Sequence, residues 1–289
     1  MRDGTAIPDL AALVAPMAAG DFRALLAARR PHHQPGTDAH RFEALLDWQG
    51  LVDSVHDGRF PADRVRLTRR ERRVSEAAYK ADGAVNATAF DTIIAAGASF
   101  IASRADRYVP AIGALCAAVA AESGDHVTCG AIASTGPGGA LDLHYDEMDL
   151  LILQVDGAKR WLIYEDPVPD PVLGMPLVES DPSAQPLLEV VHRAGDWLLL
   201  PAGYRHHCET QGDRSLHLAM GLFPLTAPRA LDLIMRDMVA DRDARRPIRA
   251  VGDEAEAALK RRLIERIEAM SLDELVRRHR TTDVKPKLR

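Results

Sequence analysis

The stretch VVHRAGDWLLLPAGYRH, residues 190–206, decides the reading of this chain. It reads as a strand, a Gly195-Asp196 turn, a short buried strand over residues 197–200, and a Pro201-Ala202-Gly203 turn that delivers a histidine. His206 is the histidine so delivered, with His207 as the fallback. A run of four apolar residues between turn signals is too short for a core helix and suits a strand covered on both faces.

Upstream stands His144-Tyr145-Asp146. In a β-strand successive side chains point to opposite faces, so His144 and Asp146 emerge together while Tyr145 points away. Two imidazoles and one carboxylate are the ligand set that holds non-haem Fe(II) on one face and leaves the other open. His144, Asp146 and His206 are therefore the candidate metal ligands, the third arriving from a strand adjacent in space and remote in sequence.

The rest of the chain is compatible with this. With 289 residues, 47% of them hydrophobic, there is enough apolar material for one large domain with a core, or a domain plus an appendage. No segment has the uninterrupted apolar length that spans a bilayer, and the N-terminal residues carry no basic, apolar, small-residue leader pattern, so a cytoplasmic protein is expected. Cys116, Cys129 and Cys208 form neither a C-x-x-C pair nor an even framework, and read as small apolar residues in a reducing compartment. A net charge of -6 gives no general field for nucleic acid, and direct nucleic-acid binding is not expected. The basic runs at residues 64–73 and 260–266 are interleaved with apolar or acidic residues and read as solvated faces.

Three regions follow. Residues 1–125 read as mainly helical, with helices over 10–19, 22–30, 40–46 and 108–121, and short strands at 65–67 and 98–102. His32 and His33, before Gln34-Pro35-Gly36, read as loop histidines. Residues 126–225 alternate short apolar runs with Gly, Pro and Asp turns: strands at 127–134, 141–145, 150–155, 159–164, 197–200 and 215–222, with turns at 135–139 and at Asp156-Gly157. Strands at this interval argue for an antiparallel sandwich or barrel, a jelly roll in particular. Residues 226–289 read as helical again, over 229–241 and 253–270, with a helix start at Ser271, and their apolar stripes offer a core or homodimer surface.

The runs LHYDEMDLLILQVDGAKRWLIYE (143–165), GDWLLLPAGYRH (195–206) and SLHL (215–218) resemble the JmjC-type, cupin-fold ribosomal oxygenases. Weaker similarity extends upstream through GASFI (97–101) and RYVPAIGALC (107–116), so that most of residues 20–225 is covered. The resemblance implies a double-stranded β-helix core with helical flanks, Fe(II), 2-oxoglutarate and O2 as cofactor and co-substrates, and hydroxylation of a protein or peptide side chain. A histidine or arginine of a ribosomal protein is the substrate it implies. It carries the metal-ligand role to His144, Asp146 and His206, and to Lys159 the role of pairing with the distal carboxylate of 2-oxoglutarate. Independently, a dicarboxylic co-substrate chelating the metal by its keto-acid end needs a cation deeper in the barrel. Strand alternation turns Lys159 inward when Arg160 points out.

The chain departs from the family pattern where an Asn and a Tyr are usual on the strand before the H-x-D segment, which here holds Gly130 and Ile132. Thr128, Ser134 or Ser215 is expected to supply the missing hydroxyl toward the co-substrate. His217 either lines the pocket and orients a ligand or is a hydrogen-bonded core residue. Asp142 and Asp149 read as turn carboxylates. A peptide or natural-product tailoring hydroxylase, and a non-oxygenase metal-binding cupin, are the competing readings.

Overall fold

The computed structural model describes residues 9–69, 72–136, 141–165, 167–172, 175, 185–247 and 252–282. Its strands are β1 (His32–Gln34), β2 (Val65–Arg69), β3 (Arg72–Arg73), β4 (Lys80–Ala81), β5 (Ala84–Val85), β6 (Ser99–Ala102), β7 (His126–Thr135), β8 (Asp149–Tyr164), β9 (Pro186–Arg193), β10 (Trp197–Leu200) and β11 (His206–Phe223). The α-helices are α1 (Leu10–Val14), α2 (Ala19–Ala28), α3 (Trp48–His56), α4 (Ala87–Ala95), α5 (Ala105–Tyr108), α6 (Pro110–Ser123), α7 (Ala227–Ala240), α8 (Asp253–Glu268) and α9 (Leu272–Thr281).

Two units are distinguished: residues 1–123 with 127–222, and residues 124–126 with 223–289. In the first, nine strands form one sheet in the order β1-β10-β8-β11-β7-β6-β2-β3, with β9 added to β8. β8 organises it. One edge pairs with β10 through Leu150–Leu153 and with β9 from Ala158 onward, and the other edge runs the whole length of β11. Helices flank this jelly-roll core. The second unit holds α7, α8 and α9. Ser271 caps α9 by accepting from the Glu274 amide, and Thr226 caps α7 in the same way through Arg229, as the sequence pattern of a helix start requires.

The sheet has two apolar faces. Leu151, Leu153 and Val155 of β8 join a large cluster with Phe100, Leu216, Leu218, Met220 and the helices, while Leu150, Ile152, Trp161 and Ile163 join a smaller one with Leu198 and Leu200. Even-numbered β8 residues face the smaller cluster before Gly157 and odd-numbered ones after it. The switch comes from two register shifts against β11, one skipping Val155 and one skipping residues 212–214. Lys159 thereby acquires the same face as Trp161 and Ile163.

Several expectations need correction. Asp156-Gly157 does not separate two strands: it lies inside β8, where Gly157 has φ +65° and a Cβ would fall 2.0 Å from the Arg214 carbonyl. Residues 141–145 are not a strand; their sheet-like pairing is the isolated bridge between His144 and His206. Residues 40–46 form turns, not a helix. There the Asp38 side chain accepts from the His40 amide and Arg41 reaches the Ala15 carbonyl, so local and tertiary bonds override the helical spacing. The helix expected over 10–19 stops at Val14. His32 and His33 belong to β1, paired with β10, and the mainly helical N-terminal region contributes β1, β2, β3 and β6 to the main sheet. Helices α3 and α4 lie outside the segments whose spacing predicts helix. Residues 137–139 of the expected turn, and Arg70 and Glu71 of the basic run, lie outside the described residues. No described helix is long and apolar enough to cross a membrane.

Candidate metal centre

The turn after β10 brings the ligands together. The Asp149 carboxylate accepts from the Ala202 amide at 2.7 Å, and the Gly203 amide donates to the Asp146 carbonyl at 2.9 Å. The chain then enters β11 at His206, whose backbone exchanges two hydrogen bonds with His144, at 2.8 and 3.2 Å. Gly203 is required at this turn: its φ is +88° and a Cβ would sit 2.1 Å from the Val168 carbonyl. Gly203→Ala is expected to cost about 1–3 kcal/mol from the strained backbone and to loosen His206. A lowered melting temperature together with weaker metal binding is the expected result, and an unchanged melting curve would contradict it.

The side chains converge. Oδ2 of Asp146 lies 3.8 Å from Nε2 of His144 and 3.6 Å from Nε2 of His206, and the imidazole centroids are 4.3 Å apart. Nδ1 of His144 lies 2.7 Å from the Asp142 carbonyl and Nδ1 of His206 lies 3.0 Å from the Tyr204 carbonyl. A carbonyl only accepts, so both rings carry their proton on Nδ1 and present the Nε2 lone pair to the centre. Burial lowers the pKa of His206 to about 3, with His144 adding to the shift, so its ring is neutral. Burial raises the pKa of Asp146, opposed by His144.

Exposure is graded across the site. The side chains of His144 and Asp146 are 32% and 26% exposed and that of His206 is 4%, so one side admits small molecules. The closed side is capped by Trp161, stacked 5.7 Å from His206. The donor set, its aimed lone pairs and its open side fit a divalent iron-type ion.

Deeper in the same face stands Lys159, fully buried. Its ammonium donates to Ser134 Oγ at 3.2 Å, and Ser99 Oγ donates to the same oxygen at 2.8 Å. With both acceptor positions of Ser134 engaged, its own proton remains to donate. Among the described residues Lys159 has no carboxylate partner. Arg160 points the other way and pairs with Glu189. Buried polar atoms without a partner surround this region: Nε1 of Trp161, Nδ1 of His217 and Oγ1 of Thr210.

The other expected contributors are placed differently. Ser215 is buried but accepts from Gln154 at 2.8 Å. Thr128 shares the face of Ser134 on β7 but lies six residues away, roughly 20 Å along a strand. Gly130 and Ile132 occupy that face between them. A Cβ added at Gly130 would meet only the Ala102 carbonyl, at 3.7 Å. His207 is opposite Leu162 on the alternate face of β11 from His206 and joins no cluster with metal-ligand spacing among the described residues. Cys208 also stays outside such clusters, and burial raises its pKa. His217 is buried with Nδ1 unpaired, its ring 5.8 Å from Trp161, and burial drives its pKa well down. Sequence reasoning missed Ser99, although it lies within the GASFI stretch, and a second histidine-carboxylate cluster made by His33, His192 and Asp196.

Residues 108–230 match the family model for the JmjC domain. That segment is similar to a JmjC domain. Among curated relatives, ribosomal oxygenase 1 of Bos taurus is 37% identical over 84 residues, covering 28% of this chain and 13% of the relative. The bifunctional lysine-specific demethylase and histidyl-hydroxylase NO66 of Drosophila grimshawi is 34% identical over 84 residues, covering 28% of this chain and 12% of the relative. The chain thus matches about an eighth of the length of these relatives. Among solved structures, Escherichia coli YcfD superposes with a TM-score of 0.56 at 14% identity, over 89% of this chain and 70% of that one. The complex of the ribosomal oxygenase YcfD with cobalt and 2-oxoglutarate gives 0.55 at 16% identity, over 85% and 66%. At such identities the shared property is the fold. His144, Asp146, Lys159 and His206 all lie within the matched segment.

Proposed function

We propose that this chain is an Fe(II)- and 2-oxoglutarate-dependent hydroxylase acting on a protein or peptide side chain, with His144, Asp146 and His206 as the metal ligands. The observation that carries the reading is the pairing of two aimed Nε2 lone pairs and one Asp146 oxygen with a fully buried, carboxylate-free Lys159 in the same face of the barrel. A metal-binding cupin without a dicarboxylic co-substrate has no use for that ammonium. Burying it without an anion is costly.

Fe(II), when bound, supplies with O2 the oxidation that turns 2-oxoglutarate into succinate and CO2 and leaves one oxygen atom on a substrate C–H. The chain's own part is geometric and electrostatic. The Asp142 and Tyr204 carbonyls hold the two imidazoles in the Nε2-presenting tautomer. Lys159 holds the distal carboxylate of 2-oxoglutarate through a buried charge-assisted bond, and the Ser134 proton adds a second donor. Trp161 keeps water from the closed side, and no side chain is needed as a general base.

The relatives' names favour a ribosomal protein and a histidine side chain as substrate, and an arginine side chain rests on the sequence resemblance alone. The space beside Gly130 and the apolar Ile132 favour a second reading, in which a peptide or natural product of different shape is hydroxylated. Purified protein given Fe(II), 2-oxoglutarate and O2 is expected to form succinate and to add the mass of one oxygen to its substrate. Mapping that mass after incubation with ribosomal proteins or with a metabolite extract separates the two readings, and no succinate with either pool refutes the hydroxylase. Leu259, Leu263, Ile264 and Ile267 of α8 are exposed and support a homodimer surface there. Sedimentation as a monomer at all concentrations would refute it.

A further inference from the structure

A second set of metal-type donors lies near Trp161, apart from the first centre. Its members come from three places that no sequence spacing connects: His33 from β1, His192 from β9, and Asp196 from the turn between β9 and β10. One ligand-type atom from each lies within 4.8 Å of the others. Nε2 of His33 is 3.0 Å from Oδ2 of Asp196, and the His33 and His192 rings are 5.4 Å apart. Two ligands of a tetrahedral zinc-type ion stand roughly 3.3 Å from one another, so the 3.0 Å between His33 and Asp196 would open slightly and the other spacings, within 4.8 Å, would close.

His192 is the second and independent observation. It is fully buried; the Ile152 backbone carbonyl interacts with its ring, and at least one ring nitrogen is left without a hydrogen-bond partner. An unpaired buried polar atom costs about 1–3 kcal/mol, so a leucine would serve a purely structural role at this position better. A neutral imidazole has one N–H and one lone pair, so the ring can give its proton to a carbonyl and offer the other nitrogen to an ion. The carboxylate is pre-aimed: the Gly36 amide donates to Oδ1 and the Arg193 amide to Oδ2, each at 2.8 Å. A carboxylate has about four acceptor positions, so these bonds orient it without exhausting it. Gly36 packs too closely for any side chain, since a Cβ would fall 2.1 Å from the Gly195 carbonyl. Lys159 stands opposite His192 in the β8–β9 register, but its ammonium is directed to Ser134.

Trp161 neighbours both sets, 5.7 Å from His206 and 6.5 Å from His192. We propose that His33, His192 and Asp196 form a second divalent-metal site, suited to Zn(II) or Co(II) with a fourth position left to water, that fastens β1 to the β9–β10 turn. Two imidazoles and one carboxylate in a nearly closed pocket favour a borderline ion of tetrahedral habit. This site does not depend on the hydroxylase reading.

The test uses the full chain carrying His144→Ala and Asp146→Ala, which removes the first centre. After incubation with Co(II) and dialysis, this protein is expected to retain about one equivalent with a tetrahedral-type visible spectrum. His192→Leu added to that background is expected to abolish both, while its melting temperature in the absence of metal is equal or higher. His33→Gln, which keeps a donor toward Asp196, is expected to weaken Co(II) retention at least about tenfold and guards against a folding failure of the first variant. Absence of Co(II) from the background protein, or retention unchanged in either added variant, overturns the proposal. Succinate formation by otherwise wild-type protein is read separately, so either idea can fail alone.

Discussion

Asp146→Ala is expected to reduce Fe(II)-dependent succinate formation by two to four orders of magnitude. The carboxylate is the one anionic donor of the centre, and its Oδ2 sits between the two Nε2 atoms at 3.8 and 3.6 Å. Removing one charged partner from a buried set costs about 3–5 kcal/mol, and each decade of binding or rate corresponds to about 1.4 kcal/mol. The loss should be one of metal affinity, visible by titration with Fe(II) or Co(II) before any turnover is measured. The metal-free protein should lose nothing in stability, because the variant relieves a carboxylate that burial already disfavours in its charged form. A variant that bound metal normally through this centre would refute the ligand assignment. Asp146→Asn keeps the shape and removes the charge, and should fall close to the alanine variant.

Lys159→Met is expected to raise the KM for 2-oxoglutarate by roughly 10- to 1000-fold while leaving metal affinity at the first centre nearly intact. The magnitude follows from leaving a carboxylate unpaired in a buried pocket, worth about 3–5 kcal/mol at most and about 1.5–3 for the charged hydrogen bond alone. The same substitution should keep or raise the melting temperature of the metal-free protein. In that state the fully buried ammonium has Ser134 Oγ as its hydrogen-bond acceptor, and a thioether of similar length fills the space without a desolvation penalty. An effect on stability with no change in KM would make Lys159 a structural residue. Opposite signs for stability and co-substrate use are the signature of a functional one.

The outline of the site was readable in the chain because it depends on short-range rules. Alternation along one strand turns Lys159 in and Arg160 out, and Pro201 and Gly203 mark the turn before His206. What escaped depends on pairing across distance. Asp156-Gly157 carries the same local signal whether it ends a hairpin or bends a continuous strand, and only the β11 register shows which. His144 and Asp146 meet through a bridge to His206 rather than through a regular strand, so their convergence owes as much to the Asp142 and Tyr204 carbonyls as to spacing. Ser99 reaches Ser134, and His33 reaches Asp196, only after β6 joins β7 and β1 joins β10. The turns at residues 40–46 show the same limit: Asp38 and Arg41 secure that segment by contacts its helical spacing does not reveal.

The ladder between β8 and β11 acts as a length gauge. Ile163 stands opposite His206 and Lys159 opposite Thr210, four residues further along both strands, or roughly 13 Å of backbone. Because both edges of β8 are hydrogen-bonded over this interval, neither end of the gauge can slide relative to the other. A keto diacid one methylene shorter would reach the ammonium only by surrendering part of its grip on the metal, and one methylene longer would have to buckle between Trp161 and its neighbours. Such a mismatch is worth about 1–3 kcal/mol, so in the proposed hydroxylase an unbroken strand would do the work of a specificity pocket by holding two charges at a fixed span.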